Sequence, residues 1–397
     1  MLTVVGIGAD GWPSLGEASR AALSEAALIV GSERQLALLP TTVGAERRPW
    51  PSPLQPLADE LTAGAHGDAV VLASGDPLLH GIGTSLIAAA GTDAVRVLPH
   101  PSAFALACAR MGWSQPGVEL VSAVARAPEV VVRALQPRRR IVAYVTGRDG
   151  AARLARALDD RGFGTSAFTI LEQLGGAAER RTDTTARAAL THVADPLHVV
   201  AIEVGAGPAH ARTPGLADSA FGGDGQLTKR HVRAITVATL APLPGELLWD
   251  VGAGSGTIGI EWLRAEPTAR AIAIESRGDR AEAIAANARD LGVPHLEVVH
   301  GTAPAALPAE RPDVIFIGGG ITAPGLLEFC WDALAAGGRL VANTVTLEGE
   351  QAVQQAQAVH GGSLTRIDIA HAEPVGGFRG WRAQMIVIQW AVTKEPR

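Results

Sequence analysis

Cysteine is nearly absent: the 397 residues include only two, Cys108 and Cys330. Both fall in apolar helical patterns of what read as separate domains. A disulfide framework is therefore excluded, and a reducing cytoplasm is the expected compartment. Long hydrophobic runs are missing as well. The longest, such as residues 385–388 and 69–73, are strand-length and far short of a membrane span, so no membrane partner is expected. The opening residues carry no basic segment ahead of their apolar stretch, which argues against a signal peptide. Positive charge is not in excess: 34 Lys and Arg against 40 Asp and Glu give a formal net charge of −6, which disfavours a general nucleic-acid binder. The clusters Arg138-Arg139-Arg140 and Arg180-Arg181 read equally as solvated faces or anion sites. His192, His198, His210, His295 and His371 are scattered without ligand spacing, so no metal site is expected. The sequence shows no catalytic dyad.

What is present describes a globular α/β protein. Hydrophobic residues make up 47% and charged ones 19%. The length calls for two domains. Strand-like runs alternate with helix-like runs, the pattern of parallel α/β architecture. In the first half, strands are expected at 2–7, 69–73, 95–98, 141–145, 165–171 and 198–203. Ser14 and Glu17 have capping-box spacing. Between residues 205 and 225 the pattern stops in a run of Gly and Pro, read as an interdomain linker. The expected organisation is thus domain 1–204, linker 205–226 and domain 227–397. In the second half, helices are expected at 229–240, 257–264 and 278–291. They alternate with strands at 247–251, 271–275, 296–300, 314–317 and 339–342. A last pair, 364–370 and 384–391, reads as an antiparallel hairpin closing the sheet.

The most informative motif is Asp250-Val251-Gly252-Ala253-Gly254-Ser255-Gly256. A strand ending in an acid, then glycines, then a helix allows close backbone approach to a ligand and presents free N–H groups. Glu275 ends the next strand, at the position where Rossmann-type sites grip a ribose diol. His300-Gly301-Thr302-Ala303 ends the third and suits packing against an adenine. A dinucleotide dehydrogenase is the rival reading. The hairpin-like tail and the helix preceding the motif favour a class I methyltransferase. The stretch Leu227-Thr228-Lys229-Arg230-His231-Val232-Arg233-Ala234-Ile235-Thr236, the glycine loop, Gly301-Thr302-Ala303-Pro304 and Ile317-Gly318-Gly319-Gly320 together resemble the decarboxylating precorrin C15-methyltransferase domain of cobalamin biosynthesis. The resemblance covers 227–390. It implies S-adenosylmethionine contacts from Thr228, Gly252, Ala253, Gly254, Ser255, Gly256, Glu275 and Ala303, with Asp250 positioning the loop. Lys229, Arg230 and Arg233 become candidates to clamp substrate carboxylates.

The first half has three further ligand-type turns at successive strand ends: Gly6-Ile7-Gly8-Ala9-Asp10, Ser74-Gly75-Asp76-Pro77 and Pro99-His100-Pro101-Ser102-Ala103. Each alone is ordinary punctuation, but together they point to one cleft at the carboxyl edge of a sheet. With Gly31-Ser32-Glu33-Arg34 and Leu171-Glu172-Gln173-Leu174-Gly175-Gly176, they resemble the tetrapyrrole methylase family, class III methyltransferases, in its precorrin C5-methyltransferase subgroup. The resemblance covers 1–203 and implies a two-subdomain fold. By it, Ala9, Gly75, Asp76, Leu79, Ser102, Ala103 and Val145 line a donor pocket. Three places depart from the family: Ala9 stands for a proline, His100-Pro101 for a glycine and an aliphatic residue, and Val124 for a histidine.

The two resemblances, in this order, match a bifunctional precorrin methyltransferase family. They imply an enzyme with two S-adenosylmethionine sites that methylates C-5 and C-15 of precorrin-6B (6Y) and decarboxylates the ring C acetate to give precorrin-8. Methyl transfer to an electron-rich macrocycle carbon rests largely on positioning, so a missing catalytic dyad is no obstacle. A homo-oligomer is expected. The alternatives are the same reactions on the cobalt-bearing intermediate, or one half kept only as a binding or scaffolding module. An RNA methyltransferase ranks below both because of the acidic balance.

Overall fold

A computed structural model describes residues 1–395 and divides the chain into two compact units, Met1–Pro208 and Ala209–Arg397. The first unit holds two five-stranded sheets. In one, β1 (Leu2–Ile7), β2 (Leu28–Gly31), β3 (Glu46–Pro49), β4 (Ala69–Ser74) and β5 (Val95–Leu98) lie in the order β3-β2-β4-β1-β5. All its pairs are parallel. Both faces are covered, which is why β1 and β4 read as unbroken apolar runs. Val4, Val30 and Val71 pack towards Leu57, Leu61 and Leu86. Val5, Ile29 and Leu72 pack on the opposite side towards Leu15, Leu23 and Leu36.

The other sheet of this unit is mixed. It comprises β6 (Val118–Ser122), β7 (Arg140–Tyr144), β8 (Ala167–Glu172), β9 (Arg180–Thr185) and β10 (His198–Glu203), in the order β6-β7-β10-β8-β9. Only β6 and β7 run parallel; the other pairs are antiparallel. The helix Gly150–Asp159 covers one face through Leu154 and Leu158, and Ala107 and Cys108 of the helix Ala103–Met111 cover the other. The expected capping box at Ser14 and Glu17 does not form. Gly16 precedes the helix Glu17–Glu25, and the Ser14 hydroxyl donates to the Gly11 carbonyl instead. The capping box of this region lies at Ser32 and Gln35.

The second unit is built on a seven-stranded sheet. Its strands are β11 (Leu247–Val251), β12 (Arg270–Glu275), β13 (Glu297–His300), β14 (Val314–Ile317), β15 (Arg339–Thr344), β16 (Ser363–Ile367) and β19 (Val387–Thr393). They run β13-β12-β11-β14-β15-β19-β16, with β19 antiparallel to both neighbours and the first five strands parallel. Counted within this sheet, the order is 3-2-1-4-5-7-6, a Rossmann-like doubly wound sheet closed by an antiparallel pair. The expected closing pair is therefore β16 and β19, but their connection carries a separate ribbon, β17 (Ala370–Val375) with β18 (Phe378–Ala383). Alternate residues of β11 serve two cores: Leu248 packs with Val237, Ile260 and Ile284, and Trp249 with Cys330, Val353 and Trp390.

From Ala209 on, the stretch read as a linker is part of this second unit. Leu216 and Phe221 are buried in its core. The Gly215 and Leu216 amides donate to the two Glu261 carboxylate oxygens at 2.6 and 2.9 Å. Asn287 accepts from the Gly222 amide and donates to its carbonyl. Glycines and prolines remove helical and strand periodicity here without removing contact, because side chains of the Rossmann-like body satisfy the strap's backbone.

Candidate functional site

Each unit has a cavity at the carboxyl edge of a sheet. In the first unit it measures about 370 Å³. Its floor is the end of β1 and the loop after it, where the chain packs closely on its neighbours. A Cβ on Gly6 would lie 2.1 Å from the Gly75 carbonyl oxygen, and one on Gly8 2.3 Å from Asp10 Oδ1. Gly75 follows β4 with φ +61°, a left-handed conformation that favours glycine. Ser102 caps the helix Ala103–Met111, its hydroxyl accepting from the Ala105 amide at 3.1 Å. All seven residues expected to line a donor pocket, Ala9, Gly75, Asp76, Leu79, Ser102, Ala103 and Val145, do line this cavity.

Sequence reasoning missed several of its neighbours. Tyr144, the single tyrosine of the chain, ends β7 in the wall and accepts from the Phe104 amide at 2.9 Å. Burial raises its hydroxyl pKa, so it stays protonated at neutral pH. His80, at φ +57°, stands edge-on to the Tyr144 ring with centroids 6.0 Å apart. His198 donates through Nδ1 to the Asp195 carbonyl, 2.6 Å away, and burial lowers its pKa, favouring the neutral ring. Arg34 also lines the cavity. The departures from the family are placed as well: Val124 lies in the wall, and His100 Nε2 sits 3.3 Å from Asp10 Oδ1 beneath the loop.

In the second unit the cavity measures about 600 Å³. Thr228, Lys229, Gly252, Ala253 and Gly254 line it, facing Gly318, Gly319 and Gly320 after β14. The approach of these loops is tight. A Cβ on Gly252 would lie 2.8 Å from the Gly319 amide nitrogen, and one on Gly254 2.8 Å from the Gln226 carbonyl oxygen. Ser255, Gly256, Glu275 and Ala303 support this wall from behind or beside it. Ser255 Oγ donates to the Gln226 carbonyl at 3.1 Å, and Gly256 packs on Ile284. Glu275, almost fully buried, accepts from the Gly254 amide at 2.8 Å and the Arg277 amide at 3.0 Å. Ala303 packs against the core.

Asp250 lies under the loop, wholly enclosed. One carboxylate oxygen accepts from the Gly259 amide at 2.9 Å, tying strand end to helix, and the other has no partner. Burial pushes its pKa up to about 7, with the nearby Glu275 adding to the shift.

Of the three candidate carboxylate clamps, only Lys229 reaches the cavity. Arg233 is a correction. It is fully buried, pairs with Glu261 at 2.7 Å and Asp218 at 3.1 Å, donates to the Thr228 and Leu216 carbonyls, and stacks over Phe221. Its donors are spent inside the fold, where it holds the strap. Arg230 is exposed and lies outside the cavity lining, donating to the Gly215 carbonyl at 2.8 Å. The far wall of the cavity was not read from the sequence. Asn343, Thr344 and Val345 come from the end of β15, and Gln384, Met385 and Val387 from the approach to β19. Asn343 is held by Thr236 at 2.8 Å and by Gln389 at 3.0 Å.

Two domain families match the two units: the tetrapyrrole (corrin/porphyrin) methylases over residues 1–190 and the precorrin methyltransferase domain over residues 219–394. The precorrin-6Y C(5,15)-methyltransferase (decarboxylating) of Mycobacterium tuberculosis strain H37Rv is 49% identical over 99% of this chain and 100% of its own length. The chain belongs to the precorrin-6Y C(5,15)-methyltransferase (decarboxylating) family. A Sinorhizobium member of this family is 45% identical over 99% of this chain and 96% of its own. The Salmonella typhimurium cobalt-precorrin-7 C(5)-methyltransferase is 36% identical over 45% of this chain and 88% of its own length. Family members thus carry both halves in one chain, in the order found here.

Proposed function

We propose that the chain is a bifunctional methyltransferase of cobalamin biosynthesis with one S-adenosylmethionine site in each unit. The first unit methylates C-5 of precorrin-6B (6Y). The second methylates C-15 and decarboxylates the ring C acetate, and the product is precorrin-8. The observation that carries the reading is the pair of glycine-lined cavities at two unrelated sheet edges in a chain that aligns with the whole length of a C(5,15) family member. The metal-free substrate is preferred because the relatives that span 99% of the chain are named for precorrin without cobalt. A cytoplasmic setting accords with two free, buried cysteines. Among the described residues no helix is long and apolar enough to cross a membrane. A homo-oligomer is part of the reading, supported by the exposed Phe378 and Trp381 of β18.

The residues fit the donor. Both cavities fall in the range of small-ligand sites, roughly 300–1,000 Å³. Their glycines sit where an added Cβ would meet a neighbouring group, the Asp10 side chain at Gly8 and loop backbone at Gly252 and Gly254, so the loops pack closely beside each cavity. S-adenosylmethionine supplies an electrophilic methyl group on a sulfonium. In the first unit, Gly8, Gly75 and the capped helix after Ser102 hold the donor, and apolar walls such as Leu79, Leu171 and Leu174 exclude water from the reacting carbon. In the second unit, Gly252 and Gly254 hold the donor with Glu275 fixing the loop, and Lys229 anchors a substrate carboxylate. The nucleophile is a macrocycle carbon, so the chain's contribution is alignment and desolvation, and the macrocycle absorbs the electrons released with carbon dioxide.

Single-site damage tests the division of labour. Gly252→Val puts bulk where Gly319 approaches and φ is +71°. It should abolish C-15 methylation and carbon dioxide release while C-5 methylation persists. Gly8→Val should do the reverse. If either variant loses both methylations while both units stay folded by circular dichroism and thermal melting, two independent donor sites are contradicted.

A further inference from the structure

Arg34 stands in the wall of the first cavity, and among the described residues lining that cavity it is the one side chain with a permanent positive charge. Several other arginines of this unit are spent on carboxylates: Arg110 on Glu179, Arg139 on Glu119, Arg180 on Glu172 and Arg187 on Asp159. Arg34 instead donates to a hydroxyl, Ser74 Oγ, at 3.1 Å, and Asp195 acts on it only as a more distant charge. A guanidinium has five N–H donors in a planar fork, so most of its capacity is free. Burial disfavours its charge, pulling its pKa down, and a bound anion would relieve that penalty.

The local fold holds this fork in position. Ser32 and Gln35 close a capping box around the short helix Glu33–Ala37. Gln35 Nε2 then donates to the same Ser74 Oγ at 3.1 Å, so Ser74 is oriented by two donors and the helix is pinned to the end of β4. The cavity walls beyond Arg34 are largely apolar, through residues such as Ile7, Leu106, Leu171 and Leu174. A half-buried, preorganised guanidinium without a carboxylate partner, set in an apolar cavity, suits a ligand that brings its own carboxylate.

We propose that Arg34 is the carboxylate-binding residue of the first cavity. Its ligand is an acid side chain of the tetrapyrrole or the amino-acid carboxylate of the methyl donor. The assignment rests on the reading of this unit as the C-5 methyltransferase. Arg34→Gln and Arg34→Lys in the full-length chain test it, with C-15 methylation and carbon dioxide release by the second unit as the control for intact protein. Loss of a charged bidentate contact should weaken binding by about ten- to a hundredfold in Arg34→Gln, with partial recovery in Arg34→Lys. A raised tetrapyrrole KM for C-5 methylation, with kcat and calorimetric S-adenosylmethionine affinity unchanged, assigns the substrate's acid. Weakened S-adenosylmethionine binding assigns the donor's carboxylate. Both constants within twofold of wild type in Arg34→Gln would overturn the proposal. So would a loss of kcat alone that Arg34→Lys does not repair, since that marks a structural role. A wild-type chain that never methylates C-5 would instead overturn the underlying reading, and donor calorimetry would still report on Arg34.

Discussion

Asp250 shows how a single buried group ties the second site to pH. Its folded-state pKa is raised to about 7 by burial, whereas an unfolded aspartate ionises near 4. Between those values the folded chain keeps a proton that the unfolded chain has released. Stability from this group is therefore fully present below about pH 4 and is lost as pH rises through 7. Asp250→Asn can keep the Gly259 hydrogen bond and cannot ionise. Thermal melts of the ligand-free protein should show the variant gaining on wild type between pH 5 and 8, by an amount on the order of a few kcal/mol. A difference that stays constant over that range would show that Asp250 is ionised throughout. The residue's placement was legible, since an acid before a glycine turn belongs at a strand end. Its enclosure was not, because that depends on packing by the helix Thr257–Ala265. Arg233 was misread for a related reason. Its neighbours Lys229 and Arg230 suggested a basic face, but helical rotation sends Arg233 into the core, where Glu261 awaits it.

At the scale of elements, the strap at 209–226 is where periodicity fails as a guide. Strand and helix patterns were readable because they repeat, and β11, β12 and β14 fall where alternation put them. A Gly/Pro-rich strap has no repeat, and its anchors, Glu261 and Asn287, lie on helices far along the chain. For the same reason Gly225 and Gln226 emerge as cavity residues only in three dimensions. β2 and β3 escaped notice because they are only four residues long, and the ribbon β17–β18 because it is largely solvent-facing. The strap's dependence on one buried carboxylate is testable. Glu261→Gln would leave the Arg233 charge without its buried partner, a change that typically costs about 3–5 kcal/mol. Denaturant unfolding should show that loss in the second unit, with C-5 methylation retained below the transition. A change under about 1 kcal/mol would mean that Asp218 and the backbone carbonyls suffice for Arg233.

Across the whole molecule, two folds that share no topology each present glycine loops at a sheet edge, and the family relatives carry the same pair. The glycine loops were legible because close backbone approach demands glycine, which leaves a mark in sequence. The remaining cavity walls were not, since apolar and amide side chains such as Leu174, Asn343 and Gln384 look ordinary until folding gathers them. In the proposed reaction one chain adds two methyl groups and removes one carboxyl group. Its most direct test is mass spectrometry of the product formed by the full-length chain from precorrin-6B (6Y) and S-adenosylmethionine with an isotopically labelled methyl. The expected product carries two labelled methyl groups and has lost one carbon dioxide. A product with one methyl group, or with two and the ring C acetate intact, would contradict the account.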